Sequence, residues 1–187
     1  AEALRQASGI QEARPVIHNA VNYKRFQHMA DLRATRLRYD LPEGARIVLG
    51  VGTLKSRKGF DVLIRAFAKV AREEPQAHLV VVGGGVPDSL QQLASSLGIN
   101  EKVHLTGPVP GDDLVGLYQL CEVFGHLARN SSWNFDGYSI VCLEAAACGK
   151  PVVAARSGGV TDAVLDGETG FLVEEEDDQG AAAAILR

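Results

Sequence analysis

The chain has 187 residues, a formal net charge of −4 and a mean hydropathy of +0.01, which together are typical of one globular, soluble domain with a real core. The negative charge gives no reason to expect nucleic acid or an anionic membrane surface as a partner. No apolar run approaches the roughly 20 residues that a membrane span needs, and no secretory signal is recognisable in the sequence.

The cysteines indicate a reducing compartment. Cys121, Cys142 and Cys148 are an odd number and lie inside apolar segments, which predicts buried thiols instead of disulfides. We therefore expect a cytoplasmic protein, with peripheral attachment of the full-length protein at the inner membrane face as a further option. No Cys/His spacing indicates zinc, and the five histidines are expected to be structural or on the surface.

Short apolar runs alternate with longer amphipathic ones along the chain. Both ends are predicted to be helical (residues 1–8 and 179–187), as if cut from a larger protein, and residues 1–45 are less regular and resemble a lead-in from a preceding domain. The elements predicted between them, in chain order, are strand 47–52, helix 58–71, strand 79–83, helix 88–97, strand 103–106, helix 112–119, strand 122–127, helix 139–148, strand 151–155, helical turn 159–165 and strand 171–173.

The predicted strands are almost wholly apolar, as in parallel sheets that are buried on both faces. With helices between them, they predict an α/β fold with a doubly wound, Rossmann-like parallel sheet. Such sheets bind ligands at the carboxyl ends of their strands, near the point where the strand order reverses. Loops that follow strands are therefore the candidate functional segments.

The loop after the first strand, 52–59, is basic. Lys55, Arg57 and Lys58 lie at or just before a helix N-terminus, where the helix dipole disfavours cations and favours anions. This placement indicates a phosphate-binding loop, and a solvated basic turn is the alternative. The loop lacks the Walker spacing, and Gly50-x-Gly52 lacks both the third glycine and the later acidic residue of a dinucleotide site.

Three further loops carry weaker signals. Gly83-Gly84-Gly85 is chiefly a turn signal, although it would let the backbone approach a ligand. The stiff loop 106–111 offers the Val109 side chain and backbone groups, as a base-binding rim would, but its spacing alone favours a plain loop. The loop 157–160 is at least as well explained by a turn as by ligand contact.

Two carboxylates flank the start of the helix 139–148. Asp136 precedes the first turn, whose free amides would point at an anion, and an ordinary dipole-stabilising acid is an equal alternative. Glu144 lies on an otherwise apolar helix face, where an unmatched charge costs several kcal/mol, on the order of what buried polar groups cost. A bound ligand would supply its polar partner, and the alternative is a carboxylate satisfied by backbone or by an arginine such as Arg129.

Taken in order, these segments resemble the C-terminal domain of retaining glycosyltransferases with the two-domain GT-B architecture, the group 1 or GT4 family. The stretch 16–22 is similar to the family's Asn-Gly-Val-Asp segment, and 52–59 to its Gly-Arg-x4-Lys-Gly phosphate loop. The stretch 136–144 is similar to the Glu-x7-Glu motif, while 157–160 and 166–170 match the closing elements. The resemblance runs from about residue 16 to the end.

The resemblance implies a role for each matching position. Lys58 would neutralise the diphosphate of a nucleotide sugar, Glu144 would bind the ribose hydroxyls, and Val109 would lie against the base. Asp136 would face the donor sugar, together with backbone groups that also meet the β-phosphate. The implied catalytic residues are Asp136 and Lys58, and the implied donor-binding residues are Gly52, Thr53, Arg57, Lys58, Val109, Asp136, Gly137, Tyr138, Ser139, Ile140 and Glu144.

By this resemblance, residues 1–14 are a remnant of the interdomain linker and residues 15–187 form the nucleotide-sugar-binding domain. The implied substrate is a UDP-, GDP- or ADP-linked sugar, with no cofactor and no metal, and an N-terminal domain would hold the sugar, lipid or small-molecule acceptor. Two positions depart from the family pattern: Thr53 replaces an arginine, and Asp136 replaces a glutamate. The alternatives are a non-catalytic or degenerate binding domain, a GT-B epimerase, or an oxidoreductase, which the weak glycine pattern disfavours.

Overall fold

The computed structural model describes residues 17–130 and 137–187. Within these ranges it contains a six-stranded sheet and eight helices, besides short 3-10 turns at Ser56–Lys58 and Asn100–Lys102. In chain order the elements are α1 (Tyr23–Gln27), α2 (Leu32–Arg38), β1 (Arg46–Val51), α3 (Phe60–Glu73), β2 (Ala77–Val82), α4 (Asp88–Ser96), β3 (Val103–Gly107), α5 (Gly111–Leu120), β4 (Cys121–His126), α6 (Ile140–Ala147), β5 (Val152–Ala155), α7 (Val160–Ala163), β6 (Gly170–Val173) and α8 (Asp178–Leu186).

The strand order is β3-β2-β1-β4-β5-β6, and every strand pair is parallel. The chain builds the sheet outwards from β1 to β3, then returns to the other side of β1 with β4. The order therefore reverses between β1 and β4, which is where doubly wound sheets bind their ligands. The predicted fold class is confirmed.

Helices cover both faces of the sheet because successive side chains of each strand point to opposite sides. In β1, Ile47, Leu49 and Val51 belong to the core beneath α1, α2, α5 and α6, whereas Val48 belongs to the core beneath α3, α4 and α8. Gly50 allows α3 to pack closely, since a Cβ there would lie 2.9 Å from the Leu63 side chain. The long helix α3 is thereby pressed onto the strand that ends at the candidate site.

The start of α3 differs from the prediction. The helix begins at Phe60, two residues later than expected, because Gly59 adopts a left-handed conformation with φ of 64°. Lys58 lies in the preceding 3-10 turn instead of in the helix. Its ammonium is therefore carried by the loop, next to the carboxyl end of β1.

The segment before β1 is more ordered than the sequence pattern indicates. Within the described part, α1 and α2 pack on the face that carries α5 and α6, and Phe26 is buried with 3% exposure. The Gln119 side chain fixes this segment by donating to the carbonyls of Phe26 and His28 and by accepting from the Ala30 amide. Residues from Phe26 onwards thus belong to the domain core and are not a loose lead-in.

The thiols are free, as predicted, and two of the three are buried. Burial raises the pKa of the Cys121 thiol to about 12, so this group is an apolar packing element and not a nucleophile. Across the described ranges, no helix is long and apolar enough to cross a membrane.

Candidate functional site

The candidate site lies where the strand order reverses. Leu49 of β1 pairs with Phe124 of β4, and the two strands run in the same direction. The loop 52–59 and the described start of the loop after β4, residues 127–130, therefore leave the same edge of the sheet side by side. The basic loop that the sequence singled out and the chain that leads towards α6 thus begin at the same edge of the sheet.

The basic loop is held by its own backbone. The Lys58 amide donates to the Lys55 carbonyl across 2.8 Å, and the Gly59 amide donates to the Ser56 carbonyl across 3.1 Å. The Lys58 stem runs beside Gly52, with its Cδ 3.7 Å from where a Cβ would lie. Lys58 and Arg57 are half-buried, whereas Lys55 and Thr53 are exposed.

A close approach joins the basic loop to the end of β4. A Cβ on Gly59 would lie only 1.7 Å from the Leu127 carbonyl oxygen, so only glycine fits there. Two residues away on each side, the Arg129 amide donates to the Arg57 carbonyl across 2.9 Å. The two loops at the reversal point therefore form one backbone unit.

The neighbouring loops continue this edge of the sheet. Gly83 lies against the Gly52 carbonyl, with a Cβ position 1.7 Å from that oxygen, and its amide donates to Gly107 across 3.0 Å. The Leu54 amide donates to the Gly84 carbonyl across 2.8 Å. Val109 follows β3 at the outer end of this edge and is half-buried against the core.

The first turn of α6 lies beside the carboxyl end of β4. Ser139 is the N-cap residue, with 7% exposure, and its hydroxyl lies 2.9 Å from Nε2 of the buried His126. Ile140, the first helical residue, is 39% exposed although it is apolar. Gly137 is exposed, and Tyr138 is half-buried.

Glu144 has a protein partner that the sequence did not reveal. The Tyr118 hydroxyl, on α5, donates to its Oε2 across 2.8 Å. Burial, followed by the charge of Glu144, raises the pKa of Tyr118 well above its ordinary value, so the phenol keeps its proton. The expected alternatives, backbone or Arg129, are not the partner found here, because the Arg129 guanidinium pairs with Asp61.

Arg129 secures the loop after β4. Its guanidinium reaches Asp61 in the first turn of α3 and Glu176 before α8. Burial alone would raise the pKa of Asp61, but the hydrogen bond and charge of Arg129 hold it below the ordinary value. The ion pairs tie the loop to two helices on the opposite face from Glu144.

A third contact comes from the loop after β5. A Cβ on Gly159 would lie 3.0 Å from the Tyr138 amide nitrogen, so residues 157–160 press against the start of α6. The Tyr138 ring stacks on His18, with ring centroids 4.5 Å apart, and His18 lies 3.5 Å from Asp162. The segment 16–22, from residue 17 onwards, thus meets the candidate site.

Two residues were missed by the sequence analysis. Tyr118 gives no local signal, because it lies 26 residues before Glu144 on another helix. His126 does give one, since it is a polar residue closing an apolar strand.

Asp136 lies outside the described residues, and so its predicted role stays a prediction. Within residues 17–130 and 137–187, no group of three or more His, Cys, Asp or Glu residues is placed to hold a metal ion.

Comparison with known proteins agrees with this geometry. The family "Glycosyl transferases group 1" matches residues 33–187. A GDP-mannose-dependent α-(1-6)-phosphatidylinositol monomannoside mannosyltransferase of Mycolicibacterium smegmatis is 40% identical over 169 residues, which are 88% of this chain and 44% of that protein. A D-inositol 3-phosphate glycosyltransferase of Streptosporangium roseum is 38% identical over 182 residues, covering 92% and 40%.

Among solved structures, Anabaena HepE in complex with UDP superimposes with a TM-score of 0.87 at 28% identity, covering 99% of this chain and 50% of HepE. The same protein has been solved with UDP-glucose. This chain is thus a doubly wound, parallel α/β domain. A basic loop and a helix that carries a glutamate lie where its strand order reverses. The chain belongs to the group 1 glycosyltransferase family, and it has one Rossmann-like half of the GT-B architecture. It spans less than half the length of the curated relatives it matches.

Proposed function

We propose that this chain is the donor-binding domain of a retaining glycosyltransferase and that it holds a nucleotide-diphosphate sugar in the cleft between β1 and β4. The observation that carries the proposal is the joining of the Lys58 loop to the loop after β4, on the edge where α6 begins. HepE, of similar fold, is known with UDP and with UDP-glucose, and the M. smegmatis relative is described as GDP-mannose-dependent.

Each group would meet one part of the donor. Lys58 and Arg57 supply positive charge to the diphosphate, and the first-turn amides of α6 face the β-phosphate. The free oxygen of Glu144 accepts from the ribose hydroxyls, while Val109 borders the base. Asp136 would meet the sugar, with the backbone of residues 137–140.

Sugar transfer requires stabilisation of the charges that develop in the transition state. As the bond from the anomeric carbon to the phosphate breaks, negative charge grows on the diphosphate and positive charge on the sugar ring. A fixed ammonium and fixed helix amides stabilise the developing phosphate charge without reorganising. The departing phosphate accepts the proton of the acceptor hydroxyl from the same face, so configuration is retained. We propose that these groups do the work without a metal, so that excess EDTA leaves the full-length enzyme's rate unchanged.

Binding can be tested directly by a thermal-shift panel of UDP, GDP, ADP and TDP and their sugars. A ligand at roughly 100 times its Kd adds about 2.7 kcal/mol to the free energy of unfolding, which is readily seen as a higher Tm. We expect one base to be preferred clearly over the others. A panel in which no nucleotide raises Tm would contradict the proposal.

Two variants locate the bound nucleotide. Lys58→Ala should weaken the binding of any nucleoside diphosphate, whereas Glu144→Ala should weaken binding of the ribonucleotide but not of its 2′,3′-dideoxy form. Lys102→Ala and Glu122→Ala are matched controls, because both residues lie at the opposite edge of the sheet, before β3 and in β4. If both site variants shift like the parent, the assignment is wrong.

Turnover is expected to need more than this chain. The acceptor, a sugar, lipid or small molecule, would be held by an N-terminal domain that lines the other half of the cleft. We therefore expect the 187-residue chain to bind the donor without transferring sugar. The full-length protein, which the free thiols lead us to expect in the cytoplasm, should both bind the donor and transfer the sugar. Robust transfer by the chain alone would contradict this. Donor binding with no transfer by the full-length protein would favour a degenerate domain, which Thr53 makes conceivable.

A further inference from the structure

The start of α6 has an N-cap residue that does not cap. Serine is among the strongest N-cap residues because its hydroxyl accepts from an amide of the first helical turn. Asp31 caps α2 in this way, accepting from the Ala34 amide across 2.9 Å, and Asp177 caps α8, accepting from Gly180 across 2.7 Å. Ser139 makes no such bond.

The Ser139 hydroxyl is engaged elsewhere. It lies 2.9 Å from Nε2 of His126, the last residue of β4, and the two side chains are 7% and 3% exposed. The His126 ring is itself stacked on Phe124, with centroids 6.4 Å apart and planes within 10°. A buried, packed ring therefore fixes the rotamer of Ser139 and turns its oxygen away from the helix amides.

The Cys142 amide already donates to the Ser139 carbonyl across 3.0 Å, so the amide that a side-chain cap would take is that of Val141. We infer that His126 is a positioning residue for the donor phosphate: by holding the Ser139 hydroxyl, it keeps the Val141 amide in the first turn of α6 uncapped and open to an anion. The inference rests on the proposed function, because the anion it serves is the β-phosphate of the donor. Without His126, the Ser139 side chain rotates and its hydroxyl oxygen accepts from the Val141 amide as a cap. The protein's own hydroxyl then competes with the ligand for the same donor.

The test is a cycle of three variants of the chain: His126→Phe, which keeps a ring without nitrogens, Ser139→Ala, which cannot cap, and the double variant. Kd values for GDP and for UDP are measured by calorimetry on each. His126→Phe should weaken binding of the preferred nucleotide about 2- to 30-fold, the range by which one N-cap bond shifts a helix equilibrium. Ser139→Ala keeps the backbone of residue 139 but has no hydroxyl, so its Kd is the reference for the cycle. The double variant should bind as tightly as Ser139→Ala alone and so recover most of the loss.

The rescue separates positioning from mere structural support. A double variant as weak as His126→Phe, or a His126→Phe variant that binds like the parent, would overturn the inference. His126→Leu, a smaller side chain, replaces the phenylalanine variant if that one does not fold.

A readout without ligand makes the two proposals separately testable. Amide hydrogen exchange of Val141 should slow in His126→Phe and return to parental rates in the double variant, whereas that of Cys142, which already donates to the Ser139 carbonyl, should change little. If exchange follows this pattern but the parent binds neither GDP nor UDP, the proposed function is wrong, while the effect of His126 on the Ser139 hydroxyl is confirmed. Unchanged exchange in His126→Phe would show that His126 does not keep the Ser139 hydroxyl from capping α6, whatever the chain binds.

Discussion

The Tyr118 hydroxyl donates to Oε2 of Glu144 across 2.8 Å, from a ring that is fully buried behind α6. Glu144 itself is half-exposed, and its second carboxylate oxygen is not used by this bond. One of the two carboxylate oxygens of Glu144 is thus held in place by the core.

Replacing Tyr118 with phenylalanine should loosen Glu144. We expect Tyr118→Phe to lower the free energy of unfolding by about 1 kcal/mol, the typical worth of one hydrogen bond. It should also weaken binding of GDP or UDP several-fold, and it should reduce the preference for the ribonucleotide over the 2′,3′-dideoxy form. Tyr39→Phe is the matched control, since its hydroxyl donates to Asp113 across 2.7 Å on a different part of the surface. An equal loss of affinity in both variants would contradict a specific role.

Adding one methyl group at Gly59 should break the joint between the two loops. Gly59→Ala places a Cβ 1.7 Å from the Leu127 carbonyl at a left-handed φ of 64°, so we expect a loss of at least about 3 kcal/mol in urea unfolding. Gly98→Ala is the control, because Gly98 has a similar φ of 71° but no heavy atom near the added Cβ. It should cost only about 1 kcal/mol. Similar losses would show that conformation, and not contact, governs Gly59.

Acid should weaken the fold through a histidine pair on β2 and β3. His78 Nδ1 and His104 Nε2 are 3.0 Å apart. Burial, with the charges of His104 and Lys102, lowers the pKa of His78, and burial lowers that of His104 against the opposing pull of Asp40.

Below the ordinary imidazole pKa of about 6.5, the unfolded chain therefore binds more protons than the folded chain. The histidine pair thus lowers the free energy of unfolding below that pH and leaves it unchanged above it. His104→Gln should shrink the fall in unfolding free energy between pH 7.5 and 5.5, measured by urea titration at both values. His28→Gln, at an exposed histidine, should leave that fall unchanged. A full-sized fall in His104→Gln would rule the pair out as its source.

Restoring the family's arginine should strengthen donor binding. Thr53 is exposed in the basic loop, directly after Gly52, so an arginine there has room to extend towards a phosphate. We expect Thr53→Arg to tighten GDP or UDP binding about 3- to 10-fold, within the range for hydrogen bonds to charged groups. Thr53→Gln, similar in length but uncharged, should not. No gain in the arginine variant would mean that Lys55 or Arg57 already makes the contact.

Most of the fold follows from local pattern. Apolar strands, each with a loop and an amphipathic helix after it, indicate a doubly wound sheet, and strand ends were predicted to within about two residues. The start of α3 was placed too early because Lys58 and Gly59 fit a helical pattern, whereas the contact that forces Gly59 into the left-handed region comes from Leu127, far along the chain.

The site was only partly predictable for the same reason. Charges in a loop, such as Lys58, and a carboxylate on an apolar face, such as Glu144, are visible as local anomalies. The pairing of side chains is not visible in this way: Tyr118 looks like an ordinary member of a helix, and His126, although it stands out as a polar residue closing an apolar strand, gives no sign that Ser139 is its partner. Long-range side-chain pairing, here across 26 residues for Tyr118 and 13 for His126, leaves no periodic trace in a single sequence.

The glycine contacts at the carboxyl edge set how this site can change. Gly59 and Gly83 press their backbones onto carbonyl oxygens of other loops, so no side chain can be added at either position without moving a neighbouring strand end. Thr53 is exposed and can vary freely, whereas Val109 is half-buried and can vary only among side chains that keep its packing. A library meant to switch the donor should randomise those positions and hold the glycines fixed. In natural relatives, we likewise expect a change of donor to come from substitutions at such positions, while the glycines that join the loops are kept.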